Sequence, residues 1–261
     1  MSVNFDIDSS NDIGKSMRAI DRVMQVLFCF SRNNPELALK DISHQTGLPK
    51  ATVHRILNAL KQYDMIHQAE DGTYRLGFGA MRISSAYIEY EDIRKSARPV
   101  MQKLAEISMQ TSSLYVLNGV RRLCIEQMLG PTYIPKYSSL GRSHPLYIGA
   151  SGKVLLAYMK KEQQEDYFKM LNEKSVEELE YPYDEVEVRN AIQKTLIDGY
   201  CCTMAERDHY TASIAAPIFD WAGMVQTTIT ISGPASDFTP ERIEDFSILV
   251  KDAAKQLSFH S

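Results

Sequence analysis

Arg55, Asn58 and Gln62 fall on one side of the segment Pro49–Gln62 when it is wound at 100° per residue, with Ala51 a turn before them. These side-chain types read base edges. Arg forks onto guanine, Asn and Gln pair bidentately with adenine, and Ala lets the backbone approach a base methyl. Thr52 and His54 flank that side, and Lys50 stands at the segment's start, where the positive end of a helix dipole suits a phosphate. The chemistry on offer is recognition of a duplex, with no bond made or broken.

A second group, Gly149-Ala150-Ser151-Gly152-Lys153, superficially resembles two catalytic motifs. A phosphate loop needs G-x-x-x-x-G-K-[ST], but Val154 follows Lys153 and Tyr147 stands where the first Gly belongs. A nucleophile elbow needs G-x-S-x-G, and Lys153 replaces its last Gly. No catalytic residue is therefore assigned, and Lys153 is expected at a helix start or on the surface. Cys201, Cys202, His144 and His209 match no regular zinc spacing, so no metal or other cofactor is expected. Glu206 and Asp208 beside Arg207 read first as solvated charges and second as ligand gates. A module that has kept the helix-turn-helix and lost DNA binding is the remaining alternative; the retained Lys50, Arg55 and Arg75 speak against it.

Positioning the base-reading side requires particular elements, and the surrounding residues supply them. Lys40 to Thr46 reads as a two-turn helix with Ile42 inward, and Gly47 can take the positive φ that ends it. Leu48 packs between two helices and Pro49 is expected at the start of the second. In that helix Val53, Ile56, Leu57 and Leu60 form the i, i+3, i+4, i+7 stripe of a buried face. Met65–Gln68 and Thr73–Leu76 are short strands about Glu70-Asp71-Gly72, a hairpin wing on which Arg75 is the phosphate or minor-groove candidate. Upstream, the spacing of Met17, Ile20, Val23, Met24, Leu27 and Phe28 predicts a helix from Ser16, its N-cap, to Arg32.

Charge is polarised along the 261 residues. Positions 15–80 hold nine Lys/Arg against six Asp/Glu, and positions 81–261 hold twenty against twenty-four. A basic head on an acidic body suits a DNA binder with a separate sensing or assembly domain. A surplus of three charges is small, so affinity per subunit should be modest and should depend on dimers. Apolar runs reach about five residues, far short of a roughly 18-residue membrane span. The acidic N-terminus argues against a secretory signal, and the unpaired spacing of the four cysteines suits a reducing cytoplasm.

Helical patterns follow at Ala80–Tyr90 and Ile93–Met109. From Thr111 the period becomes two: Ser113–Leu117 and Arg121–Met128 are strands joined by Asn118-Gly119. Helices are predicted at Gly152–Met159, Gln163–Leu171 and Asp184–Asp198. Strands Ser213–Phe219 and Met224–Ile231 come next, and a final helix starts at Pro240 behind an N-cap Thr239. The fold class is α+β: a winged helix-turn-helix, a linker helix, and a C-terminal domain of antiparallel sheet with packed helices. The boundaries expected are a flexible segment 1–14, a DNA-binding domain 15–77, a linker 78–92 and a sensing domain 93–261.

The motifs TGLPKATVHRILNAL, TYRLG, PLYIGASGKVLLAY, SIAAPIFDWAG and TITISGPASDFTPERIEDF, in that order, resemble the IclR family of bacterial transcriptional regulators. The resemblance runs from about Lys15 to Ser258. It implies a GAF/PAS-like effector-binding domain, a palindromic double-stranded DNA operator, and homodimers that often pair into tetramers. It further implies a small-molecule effector, commonly an organic acid or a sugar- or aromatic-derived metabolite, lying between the sheet and the loop Leu146–Ser151. Carried onto this sequence, the effector-binding residues are Leu146, Gly149, Ala150, Ser151, Thr203, Ser213, Thr230 and Ser232. The amides of Gly149, Ala150 and Ser151 at a helix start suit a carboxylate, and Thr230 and Ser232 share a strand face. The family usually has His at Tyr147, Gly at Tyr210 and often an acidic residue at Thr203. A phenol at Tyr210 is expected to narrow the pocket or redirect its entrance.

Overall fold

The computed structural model describes residues 15–31, 34–90, 93–131, 140–207 and 210–258. The expected segment 1–14 lies outside them, as do Asp208 and His209. The chain divides into two compact units, residues 1–91 and 92–261.

In the first unit, helix α1 (Lys15–Phe28) precedes the short strand β1 (Glu36–Leu37), α2 (Leu39–Thr46), α3 (Lys50–Gln62), the strands β2 (Ile66–Gln68) and β3 (Tyr74–Leu76), and α4 (Phe78–Tyr90). Ser16, expected as an N-cap, lies inside α1. That helix stops at Phe28 rather than Arg32, because Cys29 and Phe30 close tight turns onto the Val26 and Leu27 carbonyls. Gly47 ends α2 with φ 66°, the left-handed turn that only glycine adopts freely. Pro49 stands at the start of α3 as its N-cap, and its carbonyl accepts from the amides of Thr52 (2.8 Å) and Val53 (3.1 Å). Val26, Phe30, Leu37, Ile42, Val53, Leu57, Leu60, Ile66 and Tyr74 form this unit's core.

The wing has three antiparallel strands in the order β1-β3-β2. Strand β1 is too short to give a periodic sequence signal. The hairpin turn is set by Asp71, whose Oδ1 accepts from the amide (2.9 Å) and hydroxyl (2.7 Å) of Thr73. Those bonds hold the exposed carboxyl below its ordinary range.

The second unit begins with α5 (Ile93–Ser108) and carries a six-stranded antiparallel sheet. Its strands are β4 (Thr111–Asn118), β5 (Arg121–Met128), β6 (Ser143–Pro145), β7 (Cys201–Met204), β8 (Thr211–Phe219) and β9 (Val225–Pro234), in the order β6-β5-β4-β9-β8-β7. Helices α6 (Ala150–Ala157), α7 (Lys161–Asn172) and α8 (Glu185–Asp198) lie between β6 and β7, and α9 (Pro240–Leu257) closes the chain. Strands β6 and β7, of three and four residues, are too short to give a periodic sequence signal.

Alternation along the strands sorts the two faces. Leu114, Ile125, Ile214, Ala216, Ile229 and Ile231 pack with Ala97, Met101 and Leu104 of α5 and Phe246, Val250 and Ala254 of α9. On the other face Ala215 and Cys201 pack with Ala150 and Val154 of α6. Helix α9 starts as expected, with the Thr239 hydroxyl accepting from the Arg242 amide at 3.4 Å and Pro240 in the first turn. Among the described residues no helix is long and apolar enough to cross a membrane.

Candidate functional site

Two places bring chemistry-bearing residues together, one in each unit. Burial of Val53, Leu57 and Leu60 fixes the rotation of α3, so the opposite side must face solvent. Lys50, Ala51, His54, Arg55, Asn58 and Gln62 are exposed there, and Thr52 is half-buried. No ion pair among the described residues holds Lys50 or Arg55. Asn58 Nδ2 sits 3.4 Å from the His54 ring, one turn earlier. Arg75 on β3 is exposed but has a partner, the Glu36 carboxylate on neighbouring β1 at 3.8 Å. The pairing Glu36↔Arg75 was not legible before β1 was known.

The second place is a cavity of about 70 Å³ between β4, β5, β7, β8, β9 and the start of α6. Gly149, Ser151, Thr203, Ser213, Thr230 and Ser232 line it. Leu146 and Ala150 do not. Leu146 is fully buried in a cluster with Leu155, Phe168 and Ile192, because the loop turns its side chain toward the helices. Ala150 packs on Val154 and Ala215, and only its amide points across, to Ser213 Oγ at 3.4 Å. Tyr210 is exposed and outside the lining, and Tyr147 is buried with its hydroxyl on the Tyr181 backbone, so neither phenol narrows the cavity.

Three charged residues were misjudged or missed. Lys153, expected at a helix start or on the surface, lies near the start of α6 but is buried there and ion-paired through Nζ to Glu206 Oε1. Glu206, read first as a solvated charge and second as a ligand gate, lines the cavity, and its Oε2 accepts from the Gly149 amide at 2.8 Å. Arg122, singled out by no motif, is buried against the ring of Tyr115 and donates from Nη1 to the carbonyls of Pro145 (2.6 Å) and Ile148. A signal for it existed: alternation puts Arg122 and Cys124 on the strand face opposite Leu123 and Ile125. The loop entering α6 is thus clamped from two sides, because Tyr167 Oη accepts from the amides of Leu146 (3.0 Å) and Tyr147 (3.1 Å).

Burial, with Arg207 nearby, draws the Arg122 guanidinium below its ordinary range, although an arginine stays cationic throughout. His144, paired in register with Arg122, is held well below its ordinary value by burial and by that guanidinium, and so stays neutral. The Thr203 and Ser213 hydroxyls bond each other at 2.9 Å. The Arg122 Nε and the Thr230 hydroxyl, both buried, have no hydrogen-bond partner among the described residues. Such groups cost free energy until a ligand or water meets them. Burial pushes the thiols of Cys124 up to about 12 and of Cys201 and Cys202 up to about 11, which leaves them inert as nucleophiles at neutral pH. Among the described residues no three His, Cys, Asp or Glu side chains gather as a metal site requires.

Residues 85–259 match the domain described as bacterial transcriptional regulator IclR C-terminal, and residues 19–70 match the IclR helix-turn-helix domain. The chain belongs to the IclR family of bacterial transcriptional regulators. It is 30% identical to the HTH-type transcriptional regulator KipR of Bacillus subtilis, over 87% of this chain and 90% of KipR. The HTH-type transcriptional repressor AllR of Klebsiella pneumoniae is 28% identical, over 94% of this chain and 90% of AllR. The IclR regulator of Alicyclobacillus acidocaldarius shares the fold with a TM-score of 0.76 at 20% identity, covering 92% of this chain and 97% of that one. An IclR homologue of Microbacterium hydrocarbonoxydans, solved with 4-hydroxybenzoate, gives 0.74 at 21% identity with the same coverage. Within the IclR family this chain is a DNA-binding regulator rather than an enzyme.

Proposed function

We propose that this regulator reads a palindromic operator with Lys50, Ala51, Thr52, His54, Arg55 and Asn58 of α3 and with Arg75 of the wing, and that a small organic acid in the C-terminal cavity modulates that binding. The observation that carries the DNA half is the exposed, ion-pair-free Lys50/Arg55 side of α3, whose opposite side is committed to core. Arg55 supplies sequence discrimination and Lys50 a phosphate contact. Arg75 shares its charge with Glu36 and exchanges that weak exposed pair for a phosphate on binding. Helix α4 exposes Phe78 and Met81 on one side and Ile83 on another, apolar surface suited to a second copy in a cytoplasmic dimer or tetramer. Two heads then read half-sites about one helical turn or a multiple apart.

The ligand half rests on the cavity's chemistry. Two cations, Arg122 and Arg207, line the cavity with one carboxylate, Glu206, which is ion-paired to Lys153, and the donors Arg122 Nε and Thr230 Oγ1, unpartnered among the described residues, await an acceptor. 4-Hydroxybenzoate, bound by the Microbacterium relative, is a suitable first probe. A ligand shifts DNA affinity only through unequal affinity for the two arrangements of the heads. Anisotropy titration of operator DNA, recovered from the organism's own genome by the purified protein, with and without a panel of small acids, tests both halves. The expected result is salt-dependent, operator-selective binding that one acid changes at least several-fold. Ser232→Ala is expected to abolish the response while leaving operator affinity intact. Binding equal on operator and random duplex would break the DNA half, and an unresponsive operator complex across the panel would break the ligand half.

A further inference from the structure

The amide of Gly149 opens α6, the place where an anion is expected to sit, and it is already taken by a carboxylate of the same chain. Glu206 places one oxygen on that amide and the other on the buried Lys153 ammonium, satisfying the groups that a free acid would use. It reaches them from the β7–β8 connection, directly after Ala205, whose φ of 56° is unusual for a residue with a Cβ. Its side chain keeps about a quarter of its surface exposed, whereas Lys153 keeps 8%. The acid thus has a route to solvent and the base has none.

We propose that Glu206 is a tethered competitor for the anion seat of this cavity, and that the ligand is a small monocarboxylate which displaces it onto Gly149 and Lys153. The inference rests on the reading of the cavity as a ligand site. Two buried donors that Glu206 does not satisfy make the seat more than a helix end. The Thr230 hydroxyl, 3% exposed, and Arg122 Nε, on a residue 4% exposed, line the same cavity without partners. A carboxylate whose short body carries an oxygen acceptor can meet both the seat and these donors, whereas the Glu206 carboxylate serves only the seat. A cationic ligand would meet Arg122 and Arg207. A neutral one would leave Lys153 without a counter-charge once Glu206 moved.

Tethering sets the response threshold. A group held on a short link competes at a high effective concentration, and apparent affinity falls by the fraction of time the seat is open. Removing the competitor should therefore tighten carboxylate binding, the reverse of what removal of an ordinary ligand contact does.

The test is calorimetric titration of full-length wild type, Glu206→Ala and Glu206→Gln with acetate and with 4-hydroxybenzoate, at constant ionic strength, with acetamide as the neutral control. Both variants are expected to bind the carboxylates at least about tenfold more tightly than wild type and to gain nothing for acetamide. The Gly149 amide NMR resonance, displaced in Glu206→Ala, should return toward its wild-type position on saturation with acetate. Glu206→Gln keeps side-chain volume but loses the charge and one of the two acceptors, because its NH2 must face the Gly149 amide or the Lys153 ammonium; it decides the matter if Glu206→Ala fails to fold. Unchanged or weaker carboxylate binding in the folded variants overturns the proposal, as does an equal gain for acetamide. Operator anisotropy on the same samples separates the two readings. Tightened binding without any change in DNA affinity leaves the competitor standing and removes the effector role.

Discussion

The two units handle their charges in opposite ways. On α3, Lys50 and Arg55 stand in solvent, and the core beneath them, Val53, Leu57 and Leu60, makes no use of their charge. Around the cavity, Arg122, Lys153 and Glu206 are woven into the loop that starts α6, each held by backbone or by an opposite charge. A surface that waits for a polyanion can leave its cations hydrated until phosphates replace the water. A cavity in a folded domain cannot, because a buried ion without partners costs several kcal/mol. Substitutions should therefore separate binding from stability on α3 and entangle them around the cavity.

The sharpest challenge to that contrast is Gly152→Ala. A Cβ there would overlap the Leu146 carbonyl and the Arg122 guanidinium, neither of which has room to move. A loss of about 3 kcal/mol or more is expected in urea unfolding, and an unchanged midpoint would mean that the loop is not packed as described. Arg55→Ala should do the converse. Operator discrimination should fall by about 1–3 kcal/mol while stability stays within about 0.5 kcal/mol, as read by competition anisotropy and urea unfolding together.

A pH series extends the comparison to His144. Its folded-state pKa lies below the ordinary 6.5, so the unfolded chain takes up a proton first as pH falls. Stability is thus fully present above about pH 6.5 and declines below it, by at most about 1.4 kcal/mol per pH unit from this one group. His144→Gln should remove that part of the slope. The smallest effect is expected for Lys50→Ala, which should weaken specific and random DNA alike and lower the salt slope by about one. A selective loss on operator DNA would move Lys50 from phosphate to base.

How much of this was readable beforehand follows the same division. Residues 40–76 announce themselves because local rules decide them: a left-handed Gly47, an amphipathic 13-residue helix and a turn built on Asp71 and Gly72. The sheet was legible where strands are long, as at Arg121–Met128, and illegible where β1, β6 and β7 span two to four residues. Six of the eight expected cavity residues line the cavity, and each of the six lies on a strand facing it or at the α6 start. Arg122 and the Lys153–Glu206 pair escaped because positions 122, 153 and 206 are brought to the loop that starts α6 only by tertiary packing. A lone Lys or Glu in sequence is ordinarily solvated, and nothing local reveals that two of them bury each other.

Strand β9 carries a consequence beyond this one protein. Ile229 and Ile231 belong to the scaffold packed on α5 and α9, while the intervening Thr230 and the following Ser232 belong to the cavity. Neighbouring letters of one short stretch therefore answer to different selective demands. On the proposed reading of the cavity as a ligand site, ligand preference can drift through the even positions while the odd ones hold the architecture constant, so descendants of such a chain can acquire new ligands without relearning how to fold.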